Sequence, residues 1–327
     1  MRNNPPSLLN SDHNFNLYLP YKCKIIIAVI TCVVTMLSSA AHAQEGDFEV
    51  HDENLLGKAK SLTFYSYQAM TGDAQPSYNW LHYKSIQKYN NQGQITEFKM
   101  FNKNSISPYY VDSYEYDQKG QLKRVKNLTK DDPSISEIEY DHEGNRIKIK
   151  TYTLSGELQN INTRTFKNKK LVKEEIFNSN PSEPPLRRIY TYDSKGNIIL
   201  FKIIDRTGKL IVETTDKYDN NGKRLSFVTK DFNDNQTTIG SYVYKYFPNG
   251  KLKEESYYLG KYQSTKNVYD TMGRVLREIS YQEDASNDIS SDERYKYDKT
   301  DSQGNWTQRS RYNNGHRIRL EIRNIEY

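Results

Sequence analysis

The chain has 327 residues, 35% of them hydrophobic and 27% charged, with a formal net charge of +6 and only two cysteines. Basic and acidic residues are interleaved rather than clustered, which argues against a nucleic-acid footprint. Both cysteines, Cys23 and Cys32, lie in the first 43 residues, so the rest of the chain has no thiol to form a disulfide or bind a metal.

Those first residues read as a leader. Lys22 and Lys24 precede the apolar run Ile25 to Leu37, and Ala41-His42-Ala43 follows. A basic start, an apolar core and an A-x-A site describe a secretory signal peptide, with cleavage expected before Gln44. The apolar run is too short to span, since about 20 Å of helix falls short of a hydrocarbon core of about 30 Å. The expectation is an exported protein, periplasmic or extracellular, with no membrane span in the mature chain. Without the leader's Arg2, Lys22, Lys24 and Asp12 the net charge falls to +4. Residues 44–60 read as a polar linker, and 61–327 as a single domain.

The domain opens with Ser61-Leu-Thr-Phe-Tyr-Ser-Tyr-Gln-Ala69, a first strand by alternation. A repeated turn follows. Its clearest copy is Tyr192-Asp193-Ser194-Lys195-Gly196. Asp at the first turn position accepts backbone N–H groups just ahead of it, and Gly takes the left-handed conformation. A type I turn ending in such a glycine is a common hairpin connection. The expected register sets Tyr192 opposite Ile198 and Tyr190 opposite Leu200, with Ile199, Phe201 and Ile203 on the other face.

Related copies carry the pairs Asp117 and Gly120, Asp141 and Gly144, Asp219 and Gly222, and Asp270 and Gly273, with variants at Tyr89 to Gly93 and Tyr246 to Gly250. Tyr297-Asp298 reads as an eighth copy, stretched before Gly304. Phe166 to Leu171 marks an eroded copy. Two residues after the glycine stands an aliphatic or Trp306. Arg146 and Arg224 hold that place in two copies, which predicts a shifted register there. A second, looser set of turns lies midway between these, so the chain reverses about every 12 residues, alternately at a regular and a variable edge. All seven prolines beyond residue 44 fall in proposed turns. The last hairpin turns at Asn313-Asn314-Gly315. The fold class expected is all-β: a repetitive antiparallel meander of about 16–18 strands, one long twisted sheet that curls or wraps into an open barrel.

The unit Y-D-x-x-G-N-x-I, as in Tyr192-Asp193-x-x-Gly196-Asn197-x-Ile199 and Tyr140-Asp141-x-x-Gly144-Asn145-x-Ile147, resembles the YD repeat of the Rhs family. Tyr246 to Leu252, YFPNGKL, resembles MORN-type units. The whole pattern is similar to small exported YD-repeat proteins of Bacteroidetes-type bacteria, over about residues 60–327. The resemblance implies architecture and no reaction. Large Rhs proteins form β shells around a toxin domain, and this chain has no distinct domain after its repeats.

Groups for chemistry are sparse. His51, His82, His142 and His316 show no metal-ligand spacing. Asp231-x-Asn233-x-Asn235 begins like a calcium loop but lacks the required Gly and Glu. No cofactor and no metal is expected. The turn aspartates read as turn chemistry. The tyrosines read as a packing ladder, of which Tyr109, Tyr110, Tyr257, Tyr258 and Trp306, with Trp80, are the candidates for a binding platform, because one of each tyrosine doublet must leave the core face. The expected function is a non-catalytic binding or scaffold module of the cell envelope, with glycan as ligand. The alternative is a protein-interaction partner, such as a neutraliser of a secreted toxin, bound by strand addition at a free edge. A hydrolase acting on glycan through two converging acids is a third reading.

Overall fold

The computed structural model describes residues 55–68, 81–103, 105–129, 132–180, 185–282 and 288–327, all within the unit Asp47–Tyr327. The leader, the cleavage site and Trp80 lie outside the described residues. Twenty strands follow in order: β1 (Ser61–Gln68), β2 (Leu81–Tyr89), β3 (Ile95–Asn102), β4 (Tyr110–Tyr116), β5 (Leu122–Asn127), β6 (Ser134–Tyr140), β7 (Arg146–Thr153), β8 (Leu158–Lys167), β9 (Lys170–Asn178), β10 (Leu186–Tyr192), β11 (Ile198–Asp205), β12 (Leu210–Tyr218), β13 (Arg224–Asp231), β14 (Gln236–Tyr246), β15 (Leu252–Leu259), β16 (Tyr262–Tyr269), β17 (Val275–Tyr281), β18 (Ile289–Thr300), β19 (Trp306–Asn313) and β20 (His316–Glu326). Each pairs antiparallel with its sequence neighbours, the meander expected from the repeat.

Two features exceed that expectation. There are 20 strands rather than 16–18: nine hairpins from β2–β3 to β18–β19, the eroded copy forming one of them, and the terminal strands β1 and β20. Asn168 and Lys169 both take positive φ (51° and 61°), the two-residue turn that suits strand twist. The sheet also closes instead of staying open: β1 pairs with β20 from Ser61 opposite Glu326 to Gln68 opposite Arg319. Lys60 N–H donates to the Glu326 carbonyl (2.7 Å), and the Asn305 amide bonds the Leu56 carbonyl (2.8 Å) and the Tyr327 hydroxyl (2.7 Å) across the seam. A partner adding a strand therefore finds both terminal strands already paired. Twenty strands at ~4.8 Å make a ring about 95 Å round, and barrels of 16 or more strands leave a lumen.

The regular turns form as predicted. Asp193 Oδ1 accepts the N–H groups of Lys195 (2.9 Å) and Asn197 (2.8 Å), while Gly196 sits at φ 97°. Asp117, Asp141, Asp219 and Asp270 repeat this bonding, and Gly120, Gly144, Gly222 and Gly273 repeat the positive φ. The Asn145 side chain donates to the second oxygen of Asp141, which together with the backbone N–H groups holds that carboxyl below its ordinary pKa. The eighth turn is of ordinary length at Asp301–Gly304. The extra residues lie in β18, where the register slips at Asp298.

The register differs from the expected one by a bulge. Tyr192 faces Ile198, but Thr191 faces Leu200 and Tyr190 faces Phe201. An extra residue sits on the outgoing strand just after the first pair, and the same slip recurs at Tyr89, Tyr116, Tyr140, Tyr218, Tyr246 and Tyr269. Bulges bend a strand and raise its twist, and here they curve the sheet at every repeat. They also move Phe201 to the face of Ile198, so the buried pair Ile198 and Phe201 shares one wall. Arg146 and Arg224 obey the same register, opposite Tyr140 and Tyr218. No shift occurs. The arginines occupy the aliphatic's place and are buried, and Leu225 is the one turned outward.

The tyrosines have a second task beside packing. The β5–β6 ladder begins at Arg124, leaving the Leu122 carbonyl beyond its end. Tyr140 Oη donates to that carbonyl (2.9 Å). Tyr116 does the same for Ile95 (2.8 Å), Tyr192 for Leu171 (2.8 Å), Tyr244 for Arg224 (2.8 Å) and Tyr297 for Val275 (3.1 Å). Each hydroxyl caps a carbonyl stranded by the bulge. Tyr140→Phe is expected to cost about 1–3 kcal/mol, the penalty for an unsatisfied buried acceptor. Tyr246→Phe, on a ring 43% exposed, is expected to cost nothing measurable. Denaturant titration of the two variants checks the difference.

Candidate functional site

Side chains facing the core share the inner wall. An apolar group near the regular turns comprises Ile95, Phe98, Tyr114, Leu122, Val125, Ile138 and Ile149. Elsewhere on the wall buried apolar residues such as Leu62, Ile198, Phe201, Val212 and Phe227 alternate with buried polar and charged ones such as Gln87, Glu174 and Asp216. The strand lysines point the other way and pair outside: Lys150 with Glu139 (2.8 Å), and Lys245 and Lys266 with Glu254 (2.9 and 3.1 Å). Several arginines, such as Arg164, Arg224, Arg309 and Arg323, take inner positions instead. Arginine's planar fork pairs carboxylates and stacks on rings with less hydration to lose than an ammonium.

Three inner groups stand out. On β8–β10, Glu174 is 2% exposed and accepts from Asn162 Nδ2 (2.7 Å), Arg164 Nε (3.1 Å) and Arg188 Nη1 (2.8 Å). Burial raises its pKa, but Arg188, Arg164 and the Asn162 amide outweigh it and hold the carboxyl below its ordinary value. Beside it burial drives the Tyr190 hydroxyl pKa upward.

On β12–β15, Arg224 Nε donates to Asp216 Oδ1 (2.6 Å), and its guanidinium lies 4.3 Å from the Phe227 ring centre and 5.8 Å from that of Tyr242. Here burial wins: the Asp216 pKa is raised despite Arg224. Rings continue along the wall. Tyr242 stacks on Tyr244 (6.2 Å, 6°) and tilts against Tyr257 (5.1 Å), which lies parallel to Phe227 (6.3 Å, 10°). Gly240 makes room for this. A Cβ there would meet the Phe227 ring at 2.1 Å. Burial pushes the Tyr257 hydroxyl up to about 12.

On β17–β20, Trp306 carries the guanidinium of Arg323 at 3.6 Å and that of Arg309 at 4.5 Å, with Phe64 and Tyr297 edge-on. Arg309 pairs with Glu321 and Arg311 with Glu293.

The sequence candidates are thus scattered. Tyr257 belongs to the ring strip, and Tyr258 faces the opposite side beside Gln263, so that doublet splits. Tyr110 points inward, donating to Asp112 (2.7 Å) with Phe98 edge-on at 5.9 Å. Tyr109 is exposed before β4, its hydroxyl 3.5 Å from Met100 Sδ. Trp306 is buried beneath cations and offers no free face, contrary to the platform expected of it. Tyr242, Tyr244, Phe227 and the inner arginines escaped sequence reasoning. The alternation Tyr242-x-Tyr244 and the arginines in aliphatic slots were the available signals. Among the described residues no group of His, Cys, Asp or Glu is placed to hold a metal. A hollow of about 500 Å³, counting its open side, lies at the variable edge among Ile161, Ile176, Phe177 and Leu186.

No family model matches the chain, and no curated protein matches it. Among solved structures it is similar to a porin-like protein from Bacteroides uniformis, at 11% identity over 83% of this chain and 99% of that one, with a TM-score of 0.35. It is also similar to TcdB2-TccC3 without its hypervariable C-terminal region, at 13% identity and a TM-score of 0.26. That match covers 75% of this chain and 16% of the other. These likenesses are too distant to carry function. The barrel is compatible with an exported or envelope protein.

Proposed function

We propose that the protein is an exported, non-catalytic binding module of the cell envelope, related to the small YD-repeat proteins its motif resembles, and that it binds a glycan along the inner wall. One observation carries this reading: Tyr242, Tyr244 and Tyr257 form a strip of half-buried rings on the concave wall, set flat by Gly240 and Phe227. Tyrosine presents a large apolar face with a polar tip, which suits sugar rings that have both. The outer wall supports a water-facing barrel. Transmembrane barrels need an apolar band about 25 Å tall, and here ion pairs such as Arg277 with Asp292 (2.7 Å) and Arg124 with Glu137 (2.8 Å) stand within the strands.

The test is calorimetric titration of the full chain with a panel of envelope glycans and peptidoglycan fragments. Saturable binding is expected, weakened about tenfold, or ~1.4 kcal/mol, by Tyr242→Leu or Tyr257→Leu. Both changes keep apolar volume and remove the flat ring. Binding that both variants retain in full would sink the reading, as would an empty panel.

A further inference from the structure

The inner wall contains like charges in facing positions on neighbouring strands, and the structure treats them unequally. Like charges directly opposite destabilise a ladder. Glu278 faces Glu293, and the Tyr295 hydroxyl reaches both, at 2.6 and 3.4 Å. On the outer wall Arg277 faces Arg294, and the Asp292 carboxylate joins both, at 2.7 to 3.2 Å. On the inner wall Arg311 faces Arg319. Arg311 gives one nitrogen to Glu293, and its Nε has no hydrogen-bond partner among the described residues. Arg319 forms no ion pair there, and its Nη1 is likewise without a partner. The nearby acid Glu321 is already taken by Arg309. Nothing in the described wall bridges the two guanidinia.

The surroundings differ for the two arginines: Glu293 and then Tyr295 and Glu321 raise the pKa of Arg311, whereas Arg319 projects positive charge onto its neighbours. His82, next to the inward Tyr83, has its pKa lowered by burial and then by the charges of Arg319 and Lys103. Tyr83 itself lies within the field of Arg309, Arg319 and Glu321 and near Tyr109. Arg311 keeps a third of its side chain exposed, while its Nε and Arg319 Nη1 are themselves buried.

We propose that Arg311 and Arg319 form an anion-binding site that takes a carboxylate or sulfate of an acidic saccharide, with Tyr83 and Tyr109 beside it. Two guanidinia can each present paired N–H donors to such a group, and charge-assisted bonds of this kind are about twice as strong as neutral ones. The bound anion does for this pair what Asp292 does for Arg277 and Arg294. The saccharide part rests on the function proposed above; the anion part does not.

The test titrates the full chain with oligogalacturonate, its methyl ester, a sulfated neutral galactan oligomer and citrate, and follows the melting midpoint with each. The acidic forms are expected to bind at least tenfold tighter than the ester, and Arg319→Gln to remove that gain. Without ligand, Arg319→Gln should melt at or above the wild-type temperature, since it relieves repulsion. A purely structural arginine would instead lower the midpoint when replaced. Equal affinity for acid and ester overturns the anion site, even if Tyr242→Leu weakens both and so upholds glycan binding. Absence of saccharide binding, with citrate raising the midpoint of wild type but not of Arg319→Gln, upholds the anion site and overturns the glycan reading. A lowered midpoint in Arg319→Gln with no anion effect overturns the site outright.

Discussion

Glu174→Ala is expected to destabilise the barrel by about 3–5 kcal/mol, because it leaves Arg164 and Arg188 as buried charges without their carboxylate. Pairing stabilises Glu174 less than this figure implies, since burying the three charges costs solvation. Removing one partner exposes that cost in full. The charge also sets a pH dependence. Its folded pKa lies below the ordinary glutamate value of 4.5. Its contribution is therefore fully present above that unfolded value and is lost as pH falls through the folded one. Glu174→Gln should flatten the acid limb of the stability curve while keeping the shape of the site. Asp216 works in the opposite sense. Its folded pKa is raised above 3.8, so its ionisation weakens the fold as pH rises through the folded value. The two sites differ in partners: Glu174 has two arginines and an amide, Asp216 one arginine. Urea titrations between pH 3 and 7 on the two Glu174 variants read the effect directly. An unchanged acid limb in Glu174→Gln would refute the assignment.

Trp306→Ala is expected to be comparably severe, at about 3–5 kcal/mol for loss of a buried tryptophan. The stack on Arg323 adds to this. Burial lowers the pKa of Arg323 to about 10, so the ring's negative face helps keep its charge tolerable. For a domain of this size the loss corresponds to a fall of roughly 10 °C in melting midpoint. Trp306→Phe should recover about half of it, keeping a ring face of smaller area. Trp80→Phe leaves Trp306 as the sole indole, and its fluorescence should resist iodide quenching until unfolding. Ready quenching in the folded state would show an open ring and restore Trp306 as a platform.

Much of this fold could be read from residues alone. Asp at the first turn position and Gly at the fourth, repeated with steady spacing, specify hairpins through local chemistry, and the prolines confirm the turns. The bulge was hidden because Ile198-Ile199-Leu200 is apolar at all three places, so alternation gives no sign that one residue is extra. For the same reason alternation puts Phe201 on the face opposite Ile198, which the bulge reverses. Arg146 and Arg224 look like slipped registers because arginine is rarely buried, and for Arg224 the Asp216 carboxylate and the Phe227 and Tyr242 rings on its own and neighbouring strands make the place tolerable. The tyrosines read as packing, whereas the hydroxyls of Tyr116, Tyr140, Tyr192, Tyr244 and Tyr297 are each fixed by a carbonyl about 20 residues earlier. The doublets correctly implied one ring on each face, but which ring joins a strip depends on Gly240 and Phe227. Closure had no local signal at all, since β1 and β20 lie about 260 residues apart.

That seam also governs how the chain can be made. Every other pairing joins strands adjacent in sequence, so hairpins can form one after another as synthesis proceeds. β1 must wait for β20. Until residues 316–326 emerge, β1 is paired only with β2, and its open edge can capture a strand from another chain. A ribosome that stops early therefore releases a sticky open sheet rather than a smaller barrel. The same adjacency makes the ends interchangeable: Lys60 Nζ bonds the Tyr327 carbonyl at 2.8 Å. A short linker joining them, with new termini cut at Asn220-Asn221, would give a circular permutant in which the old seam becomes an ordinary hairpin and the last closure moves to β12 and β13.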